Sequence, residues 1–326
     1  MTTLTVCIPV HNGADFLADA LDSVLAQTAT EFSVVVSDNA STDDTPAIIE
    51  RYARKDRRIR ASRTEEFLAL ADSLNRAVDL AATEWIKPLC HDDRLEPSCV
   101  EDLREIVAAL PERVGLVGHG ESHLYANGYL DRPSAIDGAA VRVAGGPDVL
   151  RRMLGGKERI VLPSFTTAAV RRRAWAASDH FDGRFAHADV FCWARMLTRW
   201  DYARTEMPLT VNRIHGRQVA VAARSSRRST WEQHEFWNAF VDEFGEGLGL
   251  SRRTVVRTRL RGAAMAGTAA AIQLLKGEPR AAVRELGGSP SRWWPLLPLL
   301  TARGYLQERA RIHDLRAHVP VELIYP

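Results

Sequence analysis

The sequence predicts an α/β fold: a mostly parallel sheet flanked by helices, followed by a helical C-terminal extension. Three observations carry this. Short apolar runs alternate with amphipathic helical segments through the first part of the chain, as expected of parallel strands joined by right-handed crossovers. The runs are continuous rather than alternating, as strands buried on both faces require. From about residue 220 onward the strand pattern stops and helical spacing takes over.

In chain order, "LTVCIPV" is a β-branched strand. It leads into "HNGADFLADALDSVLAQ", where Phe16, Leu17, Ala20, Leu21, Val24 and Leu25 recur at helical spacing. "FSVVVSD" is a second strand and "NASTDDT" a polar loop. "PAIIERYARK" is a helix with Asp44 or Thr45 as its cap and Pro46 in its first turn. "RIRASR" is a weaker strand, "LALADSLNRAVDLAA" a helix and "EWIKPL" a fourth strand. A helix is predicted over 98–110, then a strand at "VGLVGH". Asn127-Gly128 marks a hairpin turn, Pro147 opens a short helix, and Val190, Trp193, Ala194 and Leu197 share one helical face. A composition shift in "RQVAVAARSSRRS" divides the chain into a domain at 1–220 and a helical region at 221–326.

Composition narrows the function. The 326 residues are 46% hydrophobic and 26% charged, enough for a sizeable core. A net charge of +2 argues against a nucleic-acid partner, which would demand a larger basic excess. Residues 217–326 nevertheless hold 17 Lys/Arg against 10 Asp/Glu. Cys7, Cys90, Cys99 and Cys192 show no paired spacing, and the N-terminus lacks a leader pattern, so the expected location is cytoplasmic. The "RWWPLLPLL" stretch is too short and too broken by proline to span a membrane. Together with the Arg-rich segment 252–261 it offers either a peripheral contact at the inner membrane face or a tail packed on the catalytic unit or in a homodimer. Packing is favoured, because Arg257, Arg259 and Arg261 do not segregate from the apolar residues.

In open parallel sheets ligands bind beyond the carboxyl ends of the strands. Three polar clusters fall there: Pro9-Val10-His11-Asn12, Ser37-Asp38-Asn39 and His91-Asp92-Asp93. Neither a dinucleotide-binding glycine turn nor a phosphate-cradling P-loop is present. The adjacent carboxylates Asp92 and Asp93 instead suit a hard divalent cation, Mg²⁺ or Mn²⁺, which binds substrate phosphates in its remaining positions.

"VCIPVHNGADFLADALDSVLAQT", "SDNASTDDTPAIIERYA", "LNRAVDLAATEWIKPLCHDDRLEP" and "FDGRFAHADVFCWARML" resemble, in order, the motifs of family 2 glycosyltransferases, covering roughly residues 3–216. The resemblance implies a GT-A-type, Rossmann-like fold and an inverting transfer from a nucleotide-diphosphate sugar to a hydroxyl acceptor. UDP is that family's commonest donor nucleotide, so a UDP-sugar is expected. By position, Pro9, Val10, His11 and Asn12 would line the nucleotide pocket with Arg63 and Asn75, and Asp38 would contact the base. His91, Asp92 and Asp93 fall on the D-x-D region that holds the cation between the phosphates. Asp189 falls on the general base, Trp193 and Arg195 on the helix after it. "RIHGRQ" resembles an R-x-H segment that brings His215 to the diphosphate or the metal. Cys90 stands where the first Asp of D-x-D is frequent, and Ala188 where a Glu often precedes the base. The acceptor would be a glycan, a lipid-linked intermediate or a secondary metabolite. The competing readings are a catalytically silent sugar-nucleotide-binding module, for which Cys90 and Ala188 argue, and a membrane-surface scaffold built on the C-terminal basic segment. A nucleotidyltransferase ranks lower, because "PVHNGADF" lacks the Gly-rich basic loop that such enzymes place after the first strand.

Overall fold

The computed structural model describes residues 4–133, 140–155, 162–184, 188–216, 236 and 238–260. The chain divides into two compact units, Met1–His215 and Gly216–Pro326.

The first unit is built on one ten-stranded sheet. β1 (Leu4–Val10) is buried at every position and pairs in parallel with β2 (Ser33–Asp38) and β4 (Trp85–Pro88). β2 pairs in parallel with β3 (Ile59–Arg63). Three helices make the crossovers: α1 (Leu17–Leu25), α2 (Thr45–Lys55) and α3 (Leu70–Asp79). α1 buries Leu17, Ala20, Leu21 and Val24, the stripe its spacing predicts. Each such aliphatic side chain taken from water contributes about 1.5–3 kcal/mol. This parallel half delivers the ends of β1, β2 and β4 to one edge.

Beyond β4 the pairing becomes mixed. The short β5 (Arg94–Leu95) precedes α4 (Cys99–Ala109), and β6 (Val114–Tyr125) turns at Asn127-Gly128 into β7 (Leu130–Asp131), Gly128 taking φ +82°. β8 (Arg142–Ala144) and α5 (Gly146–Gly155) follow, then β9 (Ala168–Arg171), α6 (Arg172–Ala176), α7 (Ala188–Met196) and β10 (Asp201–Ile214). The sheet order is β3-β2-β1-β4-β9-β6-β10-β5, with β7 beside β6 and β8 beside β10. β9 runs antiparallel to β4 and β6, whereas β10 is parallel to β6.

β9 and β10 have no counterpart in the sequence reading. β9 is only four residues long. β10 is interrupted by Pro208, where the ladder with β6 shifts register, the kind of break at which a strand tolerates a residue without an N–H. The start of α2 also differs in detail. Asp44 occupies the cap position without a side-chain hydrogen bond. Asp43 accepts the Thr45 N–H at 3.0 Å instead, while the Thr45 hydroxyl accepts the Gly13 N–H at 2.9 Å. The expected cap is thus diverted to hold the loop after β1.

Of the second unit, the described residues form helices at 238–244 and 252–260. Phe240 is fully buried, with ring centroids 5.8 Å from Phe236 and 4.8 Å from Phe244, at the four-residue spacing of one helix face. The "RWWPLLPLL" stretch and the remaining predicted C-terminal helices lie outside the described residues. No helix among the described residues is long and apolar enough to cross a membrane. The four cysteines are unpaired.

Candidate active site at the carboxyl edge of the sheet

Pro9 and Val10 are buried backbone of β1, in register with Ser37 and Asp38 of β2. They aim the two residues that follow. His11 shares a hydrogen bond between Nδ1 and the Asn39 carbonyl at 2.7 Å, and its ring meets Phe67 edge-on at 4.7 Å. Asn12 adopts φ +49°, a left-handed conformation that Asn tolerates better than most residues. Its backbone N–H donates to the Ser41 hydroxyl at 2.9 Å, and its side-chain Oδ1 accepts the Thr42 N–H at 2.8 Å.

Asp38, 2% exposed, accepts the Ser41 N–H at 3.0 Å through one oxygen and Arg63 Nη1 at 2.7 Å through the other. The second guanidinium nitrogen donates to the Ser41 carbonyl at 2.7 Å. The forked guanidinium therefore ties the end of β3 to the loop after β2. Asn39 clasps Leu68 through both its N–H and its carbonyl, at 2.8 and 2.9 Å.

The turn after β4 carries the acidic pair, and its two members are used differently. Asp93 is 2% exposed; the Thr166 hydroxyl donates to Oδ2 at 2.7 Å and the Arg213 N–H to Oδ1 at 3.0 Å. Burial, reinforced by the neighbouring Asp92 charge, pushes its carboxyl up to about 7 against the pull of those two donors. Asp92 Oδ2 meets His215 Nε2 at 3.0 Å. His215 stacks on Phe16 at 4.6 Å, and the Arg213 guanidinium lies over the same ring at 5.1 Å. Arg213 also donates through Nε to the Asp92 carbonyl at 3.1 Å and through Nη2 to Asp19 at 2.7 Å. β10 thus closes on the acidic turn from the far side of the sheet.

His91 is packed so closely that a Cβ on Gly13 would fall 2.5 Å from its Cδ2, and burial lowers its basicity. A Cys90 sulfur and one oxygen each of Asp92 and Asp93 lie within 4.8 Å of one another. Burial and then the Asp93 and Asp92 charges raise the Cys90 thiol well above its ordinary range. The two carboxylates suit a hard divalent cation, a neutral sulfur much less so. The residues present therefore fit Mg²⁺ or Mn²⁺ through Asp92 and Asp93, with the His215 imidazole beside Asp92.

Asp189 opens α7, its Oδ2 accepting the Phe165 N–H at 3.0 Å and its Oδ1 the Val190 N–H at 2.8 Å. Phe165, which binds Asp189, is followed by Thr166, whose hydroxyl donates to Asp93 of the acidic turn. Trp193 is fully buried in α7, and Arg195 lies over the Phe191 ring at 4.8 Å.

Asn75, expected by position in the nucleotide pocket, pairs with the backbone of Phe181. Its amide donates to the Phe181 carbonyl at 3.0 Å and accepts the Phe181 N–H at 2.8 Å, which fastens α3 to a distant segment of chain. Residues that sequence reasoning passed over are Thr166, Lys87, Arg213 and Phe16. Arg213 begins the R-x-H segment, and Lys87 is a charge inside an apolar strand; both were visible signals. Nothing local marks Thr166 or Phe16.

An open α/β sheet with acidic groups gathered at its carboxyl edge is consistent with the GT-A type of fold, and the comparisons agree. The family model described as Glycosyl transferase family 2 matches residues 5–173, just over half of the chain, and the chain belongs to that family. It is 29% identical over 104 residues to the putative teichuronic acid biosynthesis glycosyltransferase TuaG of Bacillus subtilis (strain 168), a match covering 32% of this chain and 41% of that relative. The matched stretch is thus under half of the relative's length. Among solved structures, S. aureus TarS 1-349 in complex with UDP-GlcNAc is similar with TM-score 0.64 at 16% identity, covering 92% of this chain and 88% of that one. The mannosyltransferase PcManGT from Pyrobaculum calidifontis, in complex with GDP-Man and Mn²⁺, is similar with TM-score 0.57 at 19% identity, covering 97% and 88%. At such identities these two likenesses speak to the fold.

Proposed function

We propose that the chain is an inverting glycosyltransferase that moves a sugar from a nucleotide-diphosphate donor, with a UDP-sugar as the first expectation, to a hydroxyl acceptor. The observation that carries this reading is the meeting of Asp92 and His215 at the carboxyl edge of the sheet, with Asp189 and Asp93 bonded to the adjacent residues Phe165 and Thr166. Family membership and the sugar-nucleotide complexes of the two similar structures support it.

His11, Asn12, Asp38 and Arg63 form the nucleotide end of the site, and His91 packs beneath the acidic turn. Asp92, Asp93 and His215 would hold Mg²⁺ or Mn²⁺. When bound there, the cation supplies positive charge against the negative charge that grows on the departing diphosphate. Asp189 takes the proton of the acceptor hydroxyl as that oxygen forms a bond to the anomeric carbon. The bond from that carbon to the diphosphate breaks, its electron pair leaves with the nucleotide, and the configuration inverts. A carboxylate oxygen has more than one acceptor direction. The Phe165 and Val190 N–H groups orient Asp189.

The test is donor hydrolysis followed by NMR, using UDP-, GDP- and dTDP-sugars with Mn²⁺. Release of free sugar with inverted anomeric configuration supports the proposal. Retained configuration would overturn the inverting mechanism, whereas no release from any donor while nucleotide still binds would favour the silent binding module.

A further inference from the structure

Phe165 and Thr166 precede β9, and this dipeptide touches both acidic centres. The Phe165 N–H donates to Asp189 Oδ2 at 3.0 Å. The Thr166 hydroxyl donates to Asp93 Oδ2 at 2.7 Å and accepts the Cys90 N–H at 3.1 Å. The Thr166 carbonyl accepts a hydrogen bond from the Lys87 ammonium. Lys87 has no solvent exposure and also donates to the Pro88 carbonyl at 2.8 Å.

An ammonium in the middle of a buried strand is expensive, and burial accordingly depresses the Lys87 pKa. A methionine would fill the same volume without that cost. The ammonium has one evident structural product: it fixes the backbone at Thr166 from beneath. The geometry matters because Phe165 and Thr166 are separated by one planar peptide unit, about 3.8 Å from Cα to Cα. The general base and the acidic turn are therefore held by two adjacent residues of one short segment instead of by two loops moving independently.

We propose that Thr166 is a positioning residue for the transfer reaction, setting the acidic turn at a fixed distance from Asp189, and that Lys87 anchors it. The inference rests on the glycosyltransferase reading above. Misplacing a reacting group by about 1 Å can cost about a hundredfold in rate without loss of substrate binding. The Thr166 hydroxyl is the element whose removal would loosen that spacing while leaving the fold in place.

The experiment compares Thr166→Val, which keeps the shape and removes the hydroxyl, with Thr166→Ser, which keeps the hydroxyl. Both are assayed for hydrolysis of UDP-GlcNAc and GDP-mannose with Mn²⁺, and for UDP and GDP binding by calorimetry. The expected result is a kcat lower by about 10- to 100-fold in Thr166→Val. KM and nucleotide affinity should stay within about threefold, and Thr166→Ser should recover most of kcat. Lys87→Met is expected to reproduce the kcat loss. A Thr166→Val protein with wild-type kcat overturns the proposal, as does a Thr166→Ser protein equally impaired, since packing would then be the whole of the effect. A wild-type protein that neither binds nucleotide nor hydrolyses any donor overturns the glycosyltransferase reading, and this inference with it.

Discussion

His215 Nε2 lies 3.0 Å from Asp92 Oδ2, joining the end of β10 to the turn after β4 across 123 residues of sequence. Phe16 stacks under the imidazole and Arg213 under the adjacent backbone, so the pair is held from two sides. A metal held by carboxylate and imidazole needs both groups in place before the ion arrives. His215→Ala is therefore expected to weaken Mn²⁺-dependent nucleotide binding by about 10- to 100-fold. Metal-free affinity should change little, which calorimetry with and without EDTA would establish.

Asp189→Asn keeps the size of the base and removes its ability to take a proton. Turnover is expected to fall by at least about a hundredfold. Nucleotide affinity should remain within about twofold of wild type, because Asp189 contacts the Phe165 and Val190 backbone and has no part in the nucleotide end of the site. Undiminished hydrolysis would remove Asp189 from the mechanism.

The buried Asp93 carboxyl makes stability depend on pH. Its folded-state pKa of about 7 lies above the ordinary 3.8, so between those values the native protein holds a proton that the unfolded chain has released. Stability contributed by this group is full below the lower value. It declines as pH rises through the window, by at most about 1.4 kcal/mol per pH unit, and levels off above about 7. In EDTA, urea unfolding from about pH 5 to about pH 8 should show a downward slope for wild type that is reduced in Asp93→Asn. Equal slopes would contradict this assignment.

Gly13→Ala places a Cβ 2.5 Å from His91 Cδ2 and 2.6 Å from Val10 Cγ2. The crowding is expected to cost about 1–3 kcal/mol of stability. Displacing His91 from beneath the acidic turn should also weaken Mn²⁺-dependent nucleotide binding. A shift in the thermal midpoint, together with the calorimetric affinity, measures both effects.

β1, β2 and β4 were legible in the sequence because continuous apolar runs between amphipathic helices have few other interpretations, and β3 less so because it buries only Ile59. β9 and β10 were not, because one is too short to show a pattern and the other is laced with polar residues and broken by Pro208. The same division runs through the site. His11, Asp38, Asp92, Asp93 and His215 stand at strand ends in recognisable motifs. Thr166 reaches Asp93 across 73 residues and Lys87 reaches Thr166 across 79, and no local spacing encodes such contacts. The pairing of Asn75 with the backbone of Phe181 spans 106 residues and is likewise invisible to local spacing.

The central claim is a cation-dependent sugar-nucleotide site built on Asp92. Isothermal titration of the full chain with UDP, GDP and dTDP, each with and without Mn²⁺, tests it most directly when run beside Asp92→Ala. At least one nucleotide is expected to bind only when Mn²⁺ is present, and this binding is expected to be lost in the variant. Binding of equal strength with and without Mn²⁺, or equal binding by Asp92→Ala, would contradict it.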